Sequence, residues 1–482
     1  MRLHKKDVLI LFIILIIALF YMTTIRDGHD WGGDFSMYIH HAKNIAEGLP
    51  YDDTGYIVNP FNPTYGPKTY PPVFPLLLAP IYKWFGFNLH AMKMELIVIF
   101  MLSLYMIYLA FRNEIPIKYN ACIILIIGLN PFFWDFKDNI MSDIPFLFFM
   151  YSSLFLLDHY NRSRDKDPSN RSSNILQAVL LGFLFYLTYG TRTIGIFFLI
   201  SFIIYELMHF KRLTFLCVLV VGTFFPLALL QNTLEPGQTS YITQYEINPI
   251  SIFQNVRGYF FSFSLPWDNG YSRIIKFMVF VFFSLFSLCG FLTKARGKWT
   301  LLEIYLILYF IVIIMWPSFQ AERFLIPVFP LYIYYAFVGL QRVTSGQREI
   351  TKSVIMIALM VIILGSYLAK YTRVDYGPIK EGILKRETVE LFEYVKRGTS
   401  KKDVFVFWKP RVLALFTGRR ASCYHETEKD ADLRAYFQRI GSTYIIETIY
   451  WDEPYFRDYI QRNLKDLELV YHNSGFRVFK IL

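Results

Sequence analysis

Apolar residues in this chain are gathered into long blocks that short polar links separate. Most of the blocks run for about 18 to 22 residues with almost no charge, which lets a helix cross roughly 30 Å of hydrocarbon. We count about eleven blocks, the first ending near residue 25 and the others over 92–111, 119–134, 143–158, 175–190, 193–210, 213–231, 273–293, 299–316, 324–340 and 352–370. The pattern predicts a multi-pass α-helical membrane protein.

The polar links fall into two classes when successive blocks cross in opposite directions. The links rich in Lys and Arg are 112–118, 161–174, 211–212, 293–298 and 341–352. The positive-inside rule places these links in the cytoplasm together with the N-terminus. An odd number of blocks then sends the C-terminal tail outside. Because topology accounts for the formal net charge of +11, we predict no nucleic-acid partner.

The last part of the chain has the composition of a soluble domain. "VFVFW" (404–408) and "TYIIET" (443–448) predict strands, and "ETVELFEYVKRG" and "ADLRAYFQRIG" predict helices that stop at Gly. Alternating helices and strands indicate a small α/β domain. We therefore predict two domains, a transmembrane catalytic domain over 1–370 and an extracytoplasmic α/β domain over 371–482.

The first outer loop, 26–80, carries the chemistry that is hardest to explain as packing. It contains "RDGHDWGGDFSMY", and apolar residues then recur at helical spacing, at Phe35, Ile39, Ala42, Ala46 and Leu49. This spacing predicts a helix in the membrane interface that stops at Gly48. Asp34 would stand at its N-cap, where Asp is favoured. Capping alone and a role as general base both remain open.

Several motifs follow one another in a distinctive order. They are Asp34, Tyr38, Ala42, 48–51 ("GLPY"), Tyr70-Pro71-Pro72, "MSDIPFLFF" (141–149), "AERFLIPVFP" (321–330) and "LALFTGRR" (413–420). This order resembles the GT-C glycosyltransferase superfamily, and within it the branch of protein O-mannosyltransferases and lipid A aminoarabinose transferases. The chain departs from many relatives in having Phe35 directly after the loop Asp, where they carry Glu. A scheme with two adjacent carboxylates or a metal is therefore not carried over.

The resemblance implies transfer of a hexose or pentose from a polyprenyl-phosphate donor to an acceptor hydroxyl outside, with inversion. The acceptor would be a lipid, a glycan or a protein. Asp34 is the candidate general base, because the attacking hydroxyl must lose its proton. Arg192 and Arg323 are candidates for binding the donor phosphate, since a guanidinium fork binds two oxygens. Both arginines also suit a plain role as interface anchors.

Five further residues are site candidates, namely Tyr38, His40, Tyr70, Asp143 and Glu322. Tyr38 would stack on a sugar, whereas Tyr70, followed by Pro71 and Pro72, suits loop shaping better than binding. Asp143 is also placed to cap the fourth block. We predict no cofactor. A divalent metal stays open, because His29, Asp30, Asp34, His40 and His41 are suitable ligand types but no spacing singles out a site.

A transporter or flippase for a lipid-linked sugar is the alternative function. Transporters usually show inverted repeats and helices broken near the midplane, and the sequence displays neither pattern. The richness in Ile, Phe, Lys and Tyr is typical of bacteria, which predicts the bacterial inner membrane and undecaprenyl phosphate as the carrier. An enzyme with its chemistry on the outer face is the function that we expect.

Overall fold

The computed structural model describes residues 5–62, 65–166, 171–234, 248–317, 319–425, 427, 429–451 and 453–482. The α-helices of this part are α1 Lys5–Thr23, α2 Gly33–Glu47, α3 Val73–Phe85, α4 Leu89–Phe111, α5 Ile117–Gly128, α6 Pro131–Phe136, α7 Asp143–Lys166, α8 Arg171–Thr191, α9 Ile196–Phe210, α10 Phe215–Leu234, α11 Pro249–Ser262, α12 Arg273–Ala295, α13 Leu301–Ile314, α14 Phe329–Val343, α15 Glu349–Tyr371, α16 Arg386–Gly398, α17 Pro410–Thr417, α18 Asp430–Ile440 and α19 Pro454–Arg462.

Every predicted apolar block coincides with helical structure, and the chain is an integral membrane protein. In the described residues, seven helical stretches are long and apolar enough to cross a membrane, those of α1, α4, α8, α9, α10, α12 and α15. The block predicted over 119–134 is divided, because α5 ends at Gly128 and α6 begins at Pro131. The multi-pass helical fold is confirmed, whereas the count of eleven crossings stays a prediction.

Small residues let the membrane helices approach one another closely. Gly290 of α12 and Gly339 of α14 face each other, and a Cβ on either would overlap backbone of the opposite helix. Packing of this kind stabilises helix pairs where lipid supplies no hydrophobic driving force between helices. The contact between Gly290 and Gly339 fixes the position of α14, which begins shortly after the segment that carries Arg323.

The tail forms a five-stranded mixed sheet with helices. Its strands are β1 Val404–Val406, β2 Arg420–Ser422, β3 Tyr444–Thr448, β4 Leu467–His472 and β5 Phe476–Ile481, in the order β2-β1-β3-β5-β4. Strand β1 is parallel to β2 and β3, and β5 is antiparallel to β3 and β4. The two predicted strands appear as β1 and β3, and the two predicted helices as α16 and α18. Strands β2, β4 and β5 were not predicted.

The loop 26–80 is joined to the edge of this sheet. The N–H of Ile57 donates to the carbonyl of Ala421 at 2.8 Å, and the N–H of Ala421 donates to the carbonyl of Gly55 at 2.9 Å. The Asn59 side chain donates to the carbonyl of Tyr424 at 2.8 Å. The loop and the tail therefore pack as one unit at the end of the helix bundle that carries the site.

Candidate active site

Helix α2 places Asp34 in its first turn. The helix begins at Gly33 with Gly32 as its N-cap, and no side chain caps it, so the prediction that Asp34 is the N-cap is wrong. The carboxylate turns instead to charged groups, which attract it more strongly than neutral backbone N–H groups. At its other end the helix stops at Gly48, as predicted, in the left-handed conformation with φ 69°.

Two aspartates alternate with three arginines in a chain of ion pairs, which we call the charge network. Arg323 Nη1 donates to Asp34 Oδ2 at 2.8 Å, and Arg411 Nη1 lies 3.4 Å from Asp34 Oδ1. Arg323 Nε donates to Asp143 Oδ2 at 2.9 Å. Arg192 Nη1 donates to the other oxygen of Asp143. Arg323 therefore bridges the two carboxylates with two different nitrogens of its guanidinium.

The five residues of the network come from five distant segments. These are α2, the first residue of α7, the residue after α8, the short 3-10 helix Ala321–Leu325, and α17 of the tail. Ala321 has φ 51°, so the chain turns sharply just before Arg323. Four of these residues were sequence candidates, Asp34, Asp143, Arg192 and Arg323, and the structure brings all four together.

The two carboxylates differ in their access to solvent. The side chain of Asp34 is 27% exposed, whereas that of Asp143 is 1% exposed. Burial alone would raise the pKa of Asp34, but the guanidinium groups of Arg323 and Arg411 hold it well below its usual range. A solute can therefore reach Asp34, which stays ionised, whereas the buried Asp143 holds Arg192 and Arg323 by ion pairs.

A tyrosine and a histidine hold Asp34 from the loop side. The Tyr70 hydroxyl donates to Asp34 Oδ1 at 2.6 Å, and the Tyr70 N–H donates to His41 Nε2 at 3.3 Å. His41 Nδ1 lies 2.8 Å from the carbonyl of Tyr51, so it carries the proton. Burial lowers the pKa of His41 to about 3, which keeps the ring neutral and suited to both bonds.

Tyr38 lines the same site without contacting the carboxylate through its hydroxyl. Its ring stacks on that of Tyr70, with 4.9 Å between the centroids. Its hydroxyl lies 2.9 Å from Ser142 Oγ. Burial and the nearby charge of Asp34 raise the pKa of Tyr38 to about 12, so it stays protonated.

Two sequence candidates lie outside the charge network. Within the described ranges, neither His40 nor Glu322 makes a hydrogen bond or ion pair to a network residue. Burial, with a contribution from Lys43, lowers the pKa of His40 to about 4. The histidine that supports the site is therefore its neighbour His41.

The chain shares its architecture with solved structures of known proteins. ArnT from Cupriavidus metallidurans, bound to undecaprenyl phosphate, superposes with a TM-score of 0.58 at 13% identity, covering 98% of this chain and 97% of that chain. The oligosaccharyltransferase AglB from Archaeoglobus fulgidus, in complex with an inhibitory peptide and a dolichol-phosphate, gives 0.59 at 12% identity, covering 92% and 70%. The chain has the GT-C fold. The fold that the motifs predicted is thereby confirmed.

Sequence comparison adds nothing to this GT-C assignment. No protein-family model matches the chain, and no curated protein matches it. At 12–13% identity the structural likeness shows the fold alone. The chemistry of the site therefore depends on the residues that this chain itself places there.

One of the similar structures with the GT-C fold holds a metal. A further structure of the Archaeoglobus fulgidus oligosaccharyltransferase, in complex with Zn and sulfate, matches with a TM-score of 0.57 at 12% identity, covering 90% and 68%. Among the residues that the structure describes here, no group of three His, Cys, Asp or Glu side chains is arranged to hold a metal ion. Asp34 and Asp143 bind guanidinium groups instead.

Tyr70 offers a test of how the GT-C site holds its carboxylate. We expect Tyr70→Phe to lower turnover about tenfold, because a hydrogen bond to a charged group contributes about 1.5–3 kcal/mol and part of it is recovered by Arg411. Tyr38→Phe is the matched control, since its hydroxyl contacts Ser142 and not Asp34. Steady-state kinetics of both variants decide the point. Equal turnover in the two variants would contradict a specific role for Tyr70.

Proposed function

We propose that this chain is a glycosyltransferase that moves a hexose or pentose from a polyprenyl-phosphate donor to an acceptor hydroxyl outside the cytoplasm. The observation that carries the proposal is the bridging of an accessible carboxylate, Asp34, and a buried one, Asp143, by Arg323. Arg192 follows directly on the membrane-spanning stretch of α8, which suits a donor whose tail stays in lipid. The similar structures named above contain undecaprenyl phosphate and dolichol-phosphate, which supports a lipid phosphate as the ligand.

Asp34 acts as the general base in this mechanism. The acceptor oxygen attacks the anomeric carbon from the face opposite the phosphate, and its proton passes to the Asp34 carboxylate. The bond from the anomeric carbon to the phosphate oxygen breaks, and its electron pair leaves with the phosphate. A single displacement inverts the anomeric configuration. The products are the glycosylated acceptor and polyprenyl phosphate.

Arg323 and Arg192 stabilise the departing phosphate. Their side chains are 21% and 15% exposed, so the network presents guanidinium groups to a ligand. Preorganised cations aimed at developing charge lower the barrier without reorganising during the reaction. Asp143 holds both guanidinium groups in place through its two oxygens. A phosphate that binds Arg323 also weakens the hold of this arginine on Asp34, which makes Asp34 a better base when the donor is present.

The proposal is tested with purified protein and synthetic polyprenyl-phosphate sugars. Release of polyprenyl phosphate, measured by mass spectrometry, reports cleavage of the donor, and envelope polymers from cells with and without the protein identify the acceptor. Movement of intact lipid-linked sugar across vesicles without cleavage would instead favour the transporter alternative. Failure of every hexosyl and pentosyl donor to release its lipid phosphate would overturn the proposal.

The proposal requires the tail and the site to lie on the outer side, with an odd number of crossings and a cytoplasmic N-terminus. We propose the inner membrane of a bacterium as the location. A reporter active only outside the cytoplasm, fused after Leu482, is expected to be active, and a reporter active only inside is expected to be silent. Labelling of Cys423 with a membrane-impermeant thiol reagent cannot replace the reporter, because the side chain of Cys423 is fully buried. Activity of the inside reporter would mean an even number of crossings.

A further inference from the structure

Arg411 reaches the charge network from the tail, and its guanidinium is enclosed there. The side chain is 3% exposed. Its Nη1 donates to the Tyr70 hydroxyl at 2.7 Å and lies 3.4 Å from Asp34 Oδ1. Its Nη2 donates to the carbonyl of Pro67 at 3.1 Å. Arg411 thus contacts both the carboxylate and the tyrosine that holds it.

The loop around Arg411 is shaped to receive a guanidinium. The group lies over the rings of Tyr56 and Tyr70, 4.8 and 5.2 Å from their centroids. Gly66 has φ 97°, and a Cβ there would lie 2.7 Å from Nη2 of Arg411. Glycine is required here both by the left-handed backbone and by the close approach. The fit restrains Arg411 in one position.

Arg411 and Arg323 differ in what a ligand can reach. Both bind Asp34, but the side chain of Arg323 is 21% exposed and that of Arg411 is sealed between the tail and the loop. A donor phosphate therefore meets Arg323 and not Arg411. Once phosphate occupies Arg323, a negative group lies near Asp34 and favours protonation of its carboxylate. A moderate rise in the pKa makes Asp34 a stronger base, but a carboxylate that is already protonated cannot accept the proton of the acceptor, so a second cation is needed to limit the rise.

We infer that Arg411 is a positioning residue, by which the tail keeps Asp34 ionised and oriented while Arg323 binds the donor phosphate. This inference rests on the proposed glycosyltransferase function and adds a role for the tail. The membrane domain would then supply the phosphate-binding arginines, and the tail would supply a cation in direct contact with the base, beside the more distant charge of Lys409. Activity would depend on correct docking of the tail.

The pH dependence of kcat in Arg411→Gln tests the inference, because kcat reports ionisation in the enzyme–donor complex. The acidic limb of this profile is the range in which kcat falls as Asp34 becomes protonated. Loss of the cation should move this limb to higher pH by about one unit or more. The sign follows from Asp34 acting as an ionised base, whose protonation becomes easier without Arg411. The KM for donor should stay within about twofold, because Arg411 does not face the donor. Arg411→Lys should keep the acidic limb but lose part of kcat, since Lys lacks the fork.

Asn59→Ala is the matched control for docking of the tail. Asn59 donates to the carbonyl of Tyr424 and makes no contact with Asp34, so its loss should lower the melting temperature and leave the acidic limb in place. An acidic limb that moves equally in Asn59→Ala and Arg411→Gln would overturn the inference. An acidic limb that stays in place in Arg411→Gln would also overturn the inference. If Arg411→Gln does not fold, a kcat equal to that of the wild type in Arg411→Lys would overturn it. Absence of donor cleavage by the wild-type protein would instead overturn the proposed function, and the inference with it.

Discussion

Asp34→Asn lowers kcat by at least about a hundredfold, the lower end of general-base effects. Asn has nearly the shape of Asp, but its single carbonyl oxygen can keep only one of the two hydrogen bonds that Arg323 and Tyr70 donate to different oxygens of Asp34. It also cannot take up the proton of the acceptor. Helix capping does not complicate the result, because Gly32 is the N-cap of α2. Donor binding should not weaken, since the substitution removes a carboxylate that competes with phosphate for Arg323.

Asp30→Asn is the matched control for this prediction. Asp30 lies in the same loop, is 57% exposed, and accepts from the N–H of Gly32 at 2.8 Å without joining the charge network. Exposed substitutions of this kind usually change stability by only about 0.5 kcal/mol. The measurement is donor cleavage at saturating donor, together with the melting temperature of each variant. A kcat for Asp34→Asn close to that of Asp30→Asn would remove Asp34 as the base.

Most of the architecture follows from patterns that are local in the sequence. The length of the apolar blocks predicts the membrane helices. The helical spacing of apolar residues, together with a Gly at the end of each segment, predicts α16 and α18. The break between α5 and α6 lies at Asn130, before Pro131. It was missed because the residues on both sides of it are apolar and read as one continuous block. Strands β4 and β5 were missed for a different reason, since their pairing depends on partners elsewhere in the sheet.

The site was predicted in part because topology brings helix ends to one face. Asp34, Asp143, Arg192 and Arg323 all lie at such ends. His41 could have been found, because it follows Asp34 at position i+7 of one helix face, with Tyr38 between them at i+4. Arg411 could not, since nothing distinguishes it among 49 Lys and Arg until the tail docks on the first loop.

The wrong prediction of a cap at Asp34 has a physical reason. Sequence spacing locates a helix start to within a residue or two, and here the Gly32-Gly33 pair shifts the start ahead of the Asp. An N-cap and a first-turn position look alike in sequence but direct the side chain differently. The capping preference of Asp is outweighed here by two guanidinium groups that come from residues about 290 and 380 positions away.

Arg323→Ala lowers the donor efficiency kcat/KM by roughly tenfold to a hundredfold. A charge-assisted hydrogen bond contributes about 1.5–3 kcal/mol, and the guanidinium acts both on the bound phosphate and on the charge that develops as the bond breaks. The variant also leaves Asp143 with Arg192 as its guanidinium partner in the network. Its melting temperature is therefore measured alongside the kinetics. Arg257→Ala, an exposed arginine on α11, is the control for loss of a positive charge near this face.

Arg323→Lys separates binding of phosphate from simple anchoring at the interface. Anchoring needs only a charged tip on a long stem, so Lys should then restore nearly the full kcat/KM. In the structure Nε and Nη1 of Arg323 donate to two different carboxylates, at 2.9 and 2.8 Å. An ammonium is a point charge without a planar fork, so Lys cannot reproduce this bridge and should recover only part of the loss. Donor kinetics of the wild type, Ala and Lys proteins in one detergent give the answer. A Lys variant equal to the wild type would mean that Arg323 is an anchor, and would leave phosphate binding to Arg192.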